Sequence, residues 1–93
     1  MTSSGKKLAW KVEYKEGVLK DVARFDRTVQ RRLKKFIEGL AASDNPRLKG
    51  KAKQGGEGLW LYRVGDCRIE AEIRDKAITI IVFLIGHRGK VYR

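Results

Sequence analysis

Hydrophobic and polar residues alternate near the start of the chain. Large apolar side chains stand at every second position there, at Leu8, Trp10, Val12 and Tyr14. A period of two is typical of a β-strand with one buried face, so the pattern predicts a strand. The residues before it, MTSSGKK, are small or polar, and we expect residues 1–7 to form a flexible arm ahead of a single domain at 8–93.

The next two segments follow a helical period. In the first, the apolar residues are Val18, Leu19, Val22 and Ala23. In the second they form one stripe, at Val29, Leu33, Phe36, Ile37 and Leu40. The pattern predicts two helices, because residues three and four apart share one helix face. Asp26 can accept hydrogen bonds from the free amides at a helix start, so we expect it to begin the second helix, and we expect Pro46 to end it.

Three strand-like segments follow a polar loop. Residues 47–58 contain four glycines and predict a mobile loop. The apolar segments after it are 59–64, 67–74 and 77–85. In the middle segment Ile69, Ala71 and Ile73 alternate with polar residues, which is typical of an antiparallel strand with one wet face. The last segment is almost wholly apolar and predicts a central strand covered on both faces.

The predicted element order is β-α-α-β-β-β. We therefore expect a small α+β sandwich, in which an antiparallel sheet core carries a helical hairpin on one face. At 93 residues the chain is long enough for one such domain and not for two.

Basic residues outnumber acidic ones, with 22 Lys and Arg against 11 Asp and Glu, which leaves a formal net charge of +11. The hydrophobic fraction of 42% is that of a folded domain and excludes a disordered basic tail. Positive charge is concentrated in residues 47–68 and 87–93. Such a field attracts polyanions, so the expected partner is a nucleic acid or an acidic protein.

Other classes of protein are excluded by composition. The longest apolar run, 77–85, is far shorter than the roughly 20 residues that cross a bilayer, and no signal peptide is visible, so we expect a cytoplasmic protein without a membrane partner. Cys67 and His87 are the only residues of their kinds. One cysteine cannot form an internal disulfide, and the two residues alone cannot build a zinc site, so neither a metal nor a cofactor is expected.

Two motifs near the end of the chain are specific in residue type and spacing. The first runs Tyr62-Arg63-Val64-Gly65-Asp66-Cys67-Arg68-Ile69, and the second is Gly86-His87-Arg88 followed by Tyr92. Together with the element order and the loop at 45–50, they resemble the RelE toxins of the RelE/ParE superfamily, the toxin halves of bacterial toxin–antitoxin pairs. The resemblance covers 8–93. It implies the RelE/ParE-like microbial RNase fold and a ribosome-dependent endoribonuclease, an mRNA interferase that inhibits translation.

Toxins of this kind cut messenger RNA in the decoding site, through metal-free attack of a ribose 2′-hydroxyl on the adjacent phosphodiester. The resemblance therefore implies that the ribosome and mRNA are partners of this chain. It also implies a cognate acidic RelB-like antitoxin that wraps around the toxin, and operator DNA is expected to be bound only through that antitoxin.

RNA cleavage without a metal needs a base, cations for the phosphorane and an acid. Arginine suits the second task, because its fixed fork donates to two phosphate oxygens and stays charged. The resemblance assigns Arg68 to the scissile phosphate, Arg88 to transition-state stabilisation or proton donation, and Tyr92 to base stacking or proton transfer. Arg63 is expected to contact a phosphate or a base. The alternative for each arginine is an exposed surface charge of little energetic consequence.

Further candidates lie in the loop and at the end of the last strand. Lys49, Lys51 and Lys53 alternate, so an extended backbone would put them on one side, where they could bind RNA phosphates. The alternative is a flexible, solvated loop. His87 is a candidate catalytic residue, because histidine is the side chain that titrates near neutral pH, although a lone histidine is more often structural.

One departure from the family pattern leaves the general base unassigned. Well-studied members carry basic side chains, implicated in activating the 2′-hydroxyl, at positions that align with Leu59 and Leu61 here. The open alternatives for the base are Lys51, Lys53, His87 or a water held by Arg63.

Two other functions stay open. A ParE-like toxin of the same superfamily would inhibit DNA gyrase by binding alone, and a basic domain could also be a plain RNA-binding module. The pair Arg68 and Arg88 favours the nuclease over the ParE-like inhibitor. An RNA-binding module would need aromatic residues interleaved along its strands, whereas Trp60 and Tyr62 could both be core residues.

Overall fold

A computed structural model describes residues 10–55 and 58–87. Its elements are β1 Lys11–Tyr14, α1 Val18–Val22, α2 Arg27–Ala41, β2 Lys51–Ala52, β3 Leu59–Val64, β4 Cys67–Arg74 and β5 Thr79–His87. A 3₁₀ helix, Pro46–Lys49, leads into β2. The predicted α+β class is confirmed. The predicted arm at 1–7, and the first residues of the predicted first strand, lie outside the described residues.

The five strands form one sheet in the order β1-β5-β4-β3-β2. The strands β2, β3, β4 and β5 pair antiparallel with their neighbours, as predicted for the core of the sheet. In contrast, β1 pairs in parallel with β5, with Val12 opposite Ile80. The sheet is therefore mixed, because the first strand of the chain lies beside the last.

The apolar stripe of α2 packs on one face of the sheet. Its residues Leu33, Ile37 and Leu40 are buried, and Val29 and Phe36 pack beside them. They form a single core with residues from α1, β3, β4 and β5, among which the most buried are Tyr62, Ile69, Ala71, Ile80 and Val82. None of the helices within the described part of the chain is long and apolar enough to cross a membrane. The predicted stripe is confirmed as the helical side of the core.

Both ends of α2 differ in detail from the prediction. Asp26 occupies the position just before the helix, but its side chain makes no hydrogen bond to the helix amides. The helix ends at Ala41, so Pro46 does not end it. Instead Pro46 is buried at the start of the 3₁₀ helix, where the side chain of Asn45 accepts a hydrogen bond from the Arg47 amide at 3.1 Å.

Two predictions about the second half of the chain are wrong in part. The loop predicted at 47–58 contains most of the 3₁₀ helix and the short strand β2, which pairs with β3 through Lys51 and Leu61. The last strand begins at Thr79 and continues to His87. It lies inside the sheet as predicted, but it is not covered on both faces, because the Leu84 side chain is 39% exposed.

Gly50 joins the 3₁₀ helix to β2 and lies against β3. A Cβ atom there would lie 2.6 Å from the Leu61 carbonyl oxygen and 2.6 Å from the ring of Tyr62. The same tyrosine donates a hydrogen bond from its hydroxyl to the Pro46 carbonyl at 3.1 Å, and burial raises the pKa of Tyr62 to about 12, against an opposing effect of Arg47. The absence of a side chain at Gly50 therefore allows β2, with Lys51 and the following Lys53, to pack against β3.

We expect Gly50→Ala to destabilise the protein by roughly 1–3 kcal/mol, because the added methyl group meets backbone and ring atoms in a packed region. Gly39→Ala is the matched control, since no atom in 10–55 or 58–87 lies within 4 Å of an added Cβ atom at that position of α2. Alanine in place of a glycine inside a helix should stabilise by roughly 0.5–1 kcal/mol. Urea unfolding of both variants measures the difference, and equal stabilities would contradict the close approach at Gly50.

Candidate functional site

The sheet face that points away from the core carries the charged residues of β3 and β4. We call it the open face and define it by Arg63, Arg68, Leu61 and Glu70. Arg63 lies directly opposite Arg68, and Leu61 lies directly opposite Glu70. Residues that face each other across two paired strands point to the same side of a sheet. The four side chains therefore share one surface.

The arginine pair results from the tight turn between β3 and β4. This turn has only two residues between the paired positions Val64 and Cys67, and Gly65 has a positive φ of 62°. Two-residue hairpin turns require such angles, and glycine adopts them without a steric penalty. Like charges directly opposite each other destabilise a sheet. The turn thus concentrates positive charge at the expense of stability, which is the arrangement of an anion-binding site.

A cleft of about 710 Å³ lies beside the arginine pair. Its lining residues are Asp21, Arg63, Gly65, Asp66, Cys67, Arg68, Leu84, Ile85, Gly86 and His87. Gly86 lies opposite Arg68 on β5, and among the described residues no atom lies within 4 Å of the position that a Cβ would take there. The missing side chain leaves room beside the Arg68 guanidinium. The cleft is therefore open to a ligand at the point where the two arginines meet.

Lysines in and after β2 add to the positive charge of the open face. Lys51 pairs with Leu61, and it therefore belongs to the open face. Two residues later, the Lys53 ammonium lies 2.9 Å from Oε1 of Glu70. Lys49 lies off the sheet, on the 3₁₀ helix, and is exposed. The structure thus brings Lys51 and Lys53 together with the arginine pair, and Lys49 stands apart from them.

Glu70 is the functional candidate that the sequence pattern does not reveal. Its side chain is only 11% exposed, although alternation along β4 predicts a wet position. Oε2 lies 3.5 Å from Nε of Arg68, while Oε1 accepts a hydrogen bond from Lys53. One carboxylate therefore links a lysine from the end of β2 with an arginine on β4.

His87 lies on the other side of the sheet from the arginine pair. It pairs with Cys67, next to Val64, and both of those residues belong to the core. Its ring centroid is 5.3 Å from that of Phe25, and its Nδ1 atom is buried without a hydrogen-bond partner in the described part of the chain. Arg63, Arg68 and His87 all line the cleft, but the His87 ring packs among core residues. It therefore lies on the opposite side of the sheet from the guanidinium groups of Arg63 and Arg68.

The structure describes only some of the remaining residues that the sequence analysis singled out. Arg88 and Tyr92 lie outside the described residues. Leu59 and Leu61 lie opposite Glu72 and Glu70. Cys67 is buried, and burial raises the pKa of its thiol with a further contribution from Asp66, against the effect of Arg32. A protonated, buried thiol of this kind is not a nucleophile.

Comparison with known proteins places the chain in a family. Residues 12–92 match the family model of the ParE toxin of the type II toxin–antitoxin system parDE. A search of curated proteins found no match. Since the family model covers most of the chain, the protein belongs to the ParE toxin family of type II toxin–antitoxin systems, within the RelE/ParE superfamily.

Solved toxin structures have the same fold. The toxin–antitoxin complex RelBE2 from Mycobacterium tuberculosis contains a chain that is 20% identical, with a TM-score of 0.77 over 94% of this chain and 100% of that chain. The RelE–RelB complex from Pyrococcus horikoshii OT3 gives 25% identity and a TM-score of 0.70 over 90% of this chain and 100% of that one. The RelB–RelE complex from Methanococcus jannaschii gives 27% and 0.68, covering 86% and 94%. These similarities support an antitoxin as a partner of this toxin.

The ion pair between Lys53 and Glu70 should contribute measurably to stability, because the carboxylate is largely buried. In a double-mutant cycle of Lys53→Met and Glu70→Gln, we expect a coupling free energy of roughly 1 kcal/mol from urea unfolding. The matched control is the exposed pair of Glu72 and Arg74 on the same strand, whose side chains are 36% and 57% exposed. Its coupling should stay below about 0.5 kcal/mol. Equal coupling in the two cycles would contradict a special environment at Glu70.

Proposed function

We propose that this toxin is a RelE-type endoribonuclease that cleaves messenger RNA on the ribosome. The observation that carries the proposal is the arginine pair, Arg63 and Arg68, at the edge of a cleft on the open face. A cleft of about 710 Å³ has room for a nucleotide, because ligand sites of that class occupy roughly 300–1,000 Å³. The similarity to solved RelE chains supports the same class of reaction.

The proposed reaction breaks the phosphodiester without a metal. A base takes the proton of the ribose 2′-hydroxyl, and the 2′-oxygen attacks the adjacent phosphorus. The bond to the 5′-oxygen then breaks, which leaves a 2′,3′-cyclic phosphate and a 5′-hydroxyl. Charge grows on the phosphorane oxygens during this step, so fixed cationic donors beside it stabilise the transition state more than the ground state.

The arginines have separate roles in this scheme. Arg68 has open space beside it at Gly86, and its guanidinium would donate to the scissile phosphate. Arg63 would hold a neighbouring phosphate or a base, and Lys51 would add affinity for the RNA backbone. Arg88 follows His87 directly in the sequence, and for Arg88 and Tyr92 we keep the roles that the family resemblance implies.

A second function is supported by a different observation. The family model that matches the chain is that of the ParE toxin, and a ParE-like protein would inhibit DNA gyrase by binding alone. The two functions are separated by one pair of assays. The purified toxin is added to a translation system in which reverse transcriptase maps the ends of the message, and in parallel to a gyrase supercoiling reaction. Cuts at codon spacing support the nuclease, whereas intact message with blocked supercoiling supports the inhibitor.

A groove on the helix side of the molecule, away from the open face, is suited to bind the antitoxin. A mostly apolar groove of about 340 Å³ runs between the helices and the end of β1. Tyr14, Leu19 and Val22 contribute its apolar wall, and Arg27, Arg31 and Lys34 form a basic rim. Since an amphipathic helix with acidic flanks matches both features, we infer that a helical segment of the acidic antitoxin docks here.

Replacement of the phosphate-binding arginines should impair cleavage without unfolding the protein. We expect Arg68→Ala to lower the rate of message cleavage by about 100-fold, since it removes a donor to the transition state. Arg63→Ala should mainly raise the toxin concentration that is needed. Arg74→Ala is the matched control, because Arg74 is an exposed arginine on the same strand. Cleavage by Arg68→Ala at the rate of the Arg74 variant would contradict the assignment.

Binding of the antitoxin should depend on charge during association and on apolar contacts afterwards. Raising the ionic strength should lower the association rate, because screening weakens long-range attraction to a toxin of charge +11. Leu19→Ser should accelerate dissociation about tenfold, since it removes an exposed apolar anchor of the groove. Leu48→Ser is the control, because Leu48 is also exposed but lies on the 3₁₀ helix. Surface plasmon resonance measures both rates, and equal dissociation of the two variants would contradict the groove as the docking site.

A further inference from the structure

The carboxylate of Glu70 occupies the middle of a face that is otherwise cationic. Leu61 on β3 and Leu84 on β5 lie directly opposite it on either side, and its side chain is 11% exposed. Lys53 and Arg68 contact one oxygen each, at 2.9 and 3.5 Å. A carboxylate held at both oxygens between two apolar neighbours has a fixed position, which an exposed glutamate lacks.

A carboxylate does not strengthen a surface that only binds RNA. Phosphates are anions, and a fixed negative charge beside Arg68 repels them. It also neutralises part of the positive field that Lys53 and Arg68 would otherwise present. The presence of Glu70 at this position therefore calls for a role other than attraction of the backbone.

The proposed reaction lacks a base, and the other described groups near the arginines do not supply one. Lysine and arginine side chains are protonated at neutral pH, so Lys51, Lys53 and Arg63 are poor proton acceptors. The ring of His87 packs on the opposite side of the sheet. Asp21 and Asp66 border the cleft, yet within residues 10–55 and 58–87 neither forms an ion pair with Arg63 or Arg68.

Glu70 satisfies the geometric condition for a base. In RNA the 2′-hydroxyl is attached next to the 3′-phosphate that it attacks, so the base must lie close to the group that binds this phosphate. Glu70 is in contact with Arg68, the group proposed to bind it. Lys53 donates a hydrogen bond to Oε1, so Oε2, which lies 3.5 Å from Nε of Arg68, is the oxygen left to accept a proton.

We propose that Glu70 is the general base of this toxin, an inference that rests on the proposed nuclease function. Oε2 accepts the proton of the 2′-hydroxyl while the 2′-oxygen forms its bond to phosphorus. The bond between phosphorus and the 5′-oxygen breaks, and the departing oxygen takes a proton from water. Glu70 then returns its proton to solvent, so protons and electrons balance over the cycle.

The test is single-turnover cleavage of a short message in a purified ribosome complex with the toxin in excess. The toxin concentration series separates the affinity from the maximal rate, and each rate is measured across a range of pH. We expect Glu70→Gln to lower the maximal rate by roughly 100-fold or more, without loss of affinity for the RNA. Glu72→Gln is the matched control on the same face and strand, and it should cleave like the wild type.

The pH profile distinguishes a base from a residue that only positions its neighbours. The groups that face Glu70 are Lys53, Arg68, Lys51 and Arg63, together with the carboxylate of Glu72 two residues along β4. Asp21, Asp66 and His87, which line the cleft, are titratable as well, so a fall of the wild-type rate at acidic pH is assigned to Glu70 only through its loss in Glu70→Gln. That acid limb should persist in Glu70→Asp and in Glu72→Gln, and it should vanish in Glu70→Gln.

Each outcome decides the question. Wild-type cleavage with a Glu70→Gln rate within tenfold of it overturns the role of Glu70 and leaves the nuclease function intact. A slow Glu70→Gln that keeps the acid limb overturns it as well, in favour of a positioning role. No cleavage by the wild type overturns both proposals. If Glu70→Gln fails to fold, as judged by circular dichroism, Glu70→Asp decides: an acid limb shifted in pH relative to the wild type supports the base, and an unshifted one overturns it.

Discussion

The register of the hairpin between β3 and β4 is the constraint on which both faces of the sheet depend. The turn at 65–66 sets this register, and each cross-strand pair follows from it. Because side chains alternate with a period of two, a slip of β3 by one residue would turn Tyr62 out to solvent. The same slip would put Arg63 into the core. Burial of the apolar set on one face therefore holds the charged set in place on the other.

The arginine pair is tolerated because apolar burial on the core side stabilises the sheet by more than the repulsion between Arg63 and Arg68 destabilises it. Full burial of a large apolar side chain stabilises a protein by about 1.5–3 kcal/mol, and Tyr62, Ile69 and Val82 are all completely buried on the core side. Two like charges in a cross-strand pair cost roughly 0.2–1 kcal/mol. The core therefore outweighs the repulsion several times over, and the open face is free to carry the charges that a polyanion requires.

Local pattern predicts the parts of this fold that local contacts determine. Alternation and a tight turn predict β3 and β4 with the bounds that the structure has. The strand β2 and the pairing of β1 with β5 depend on hydrogen bonds between distant residues, which no local pattern contains. The same applies to Glu70, because only its partners from other strands explain its burial. The orientation of His87 was accessible to prediction, since it lies two residues after the buried Ile85 on one strand.

The Glu70 carboxylate on the open face helps to distinguish between the two candidate activities, RNA cleavage and inhibition by binding alone. An inhibitor that acts by binding gains nothing from a glutamate fixed between the cations that contact its target, and the charge reduces its attraction for any polyanion. A nuclease without a metal needs a proton acceptor at the phosphate, and Leu59 and Leu61 on β3 cannot accept a proton. Glu70 lies directly opposite Leu61, so β4 carries a carboxylate where its partner β3 carries an apolar side chain. Under the proposed nuclease function, the open face would therefore both bind the RNA and supply the group that starts its cleavage.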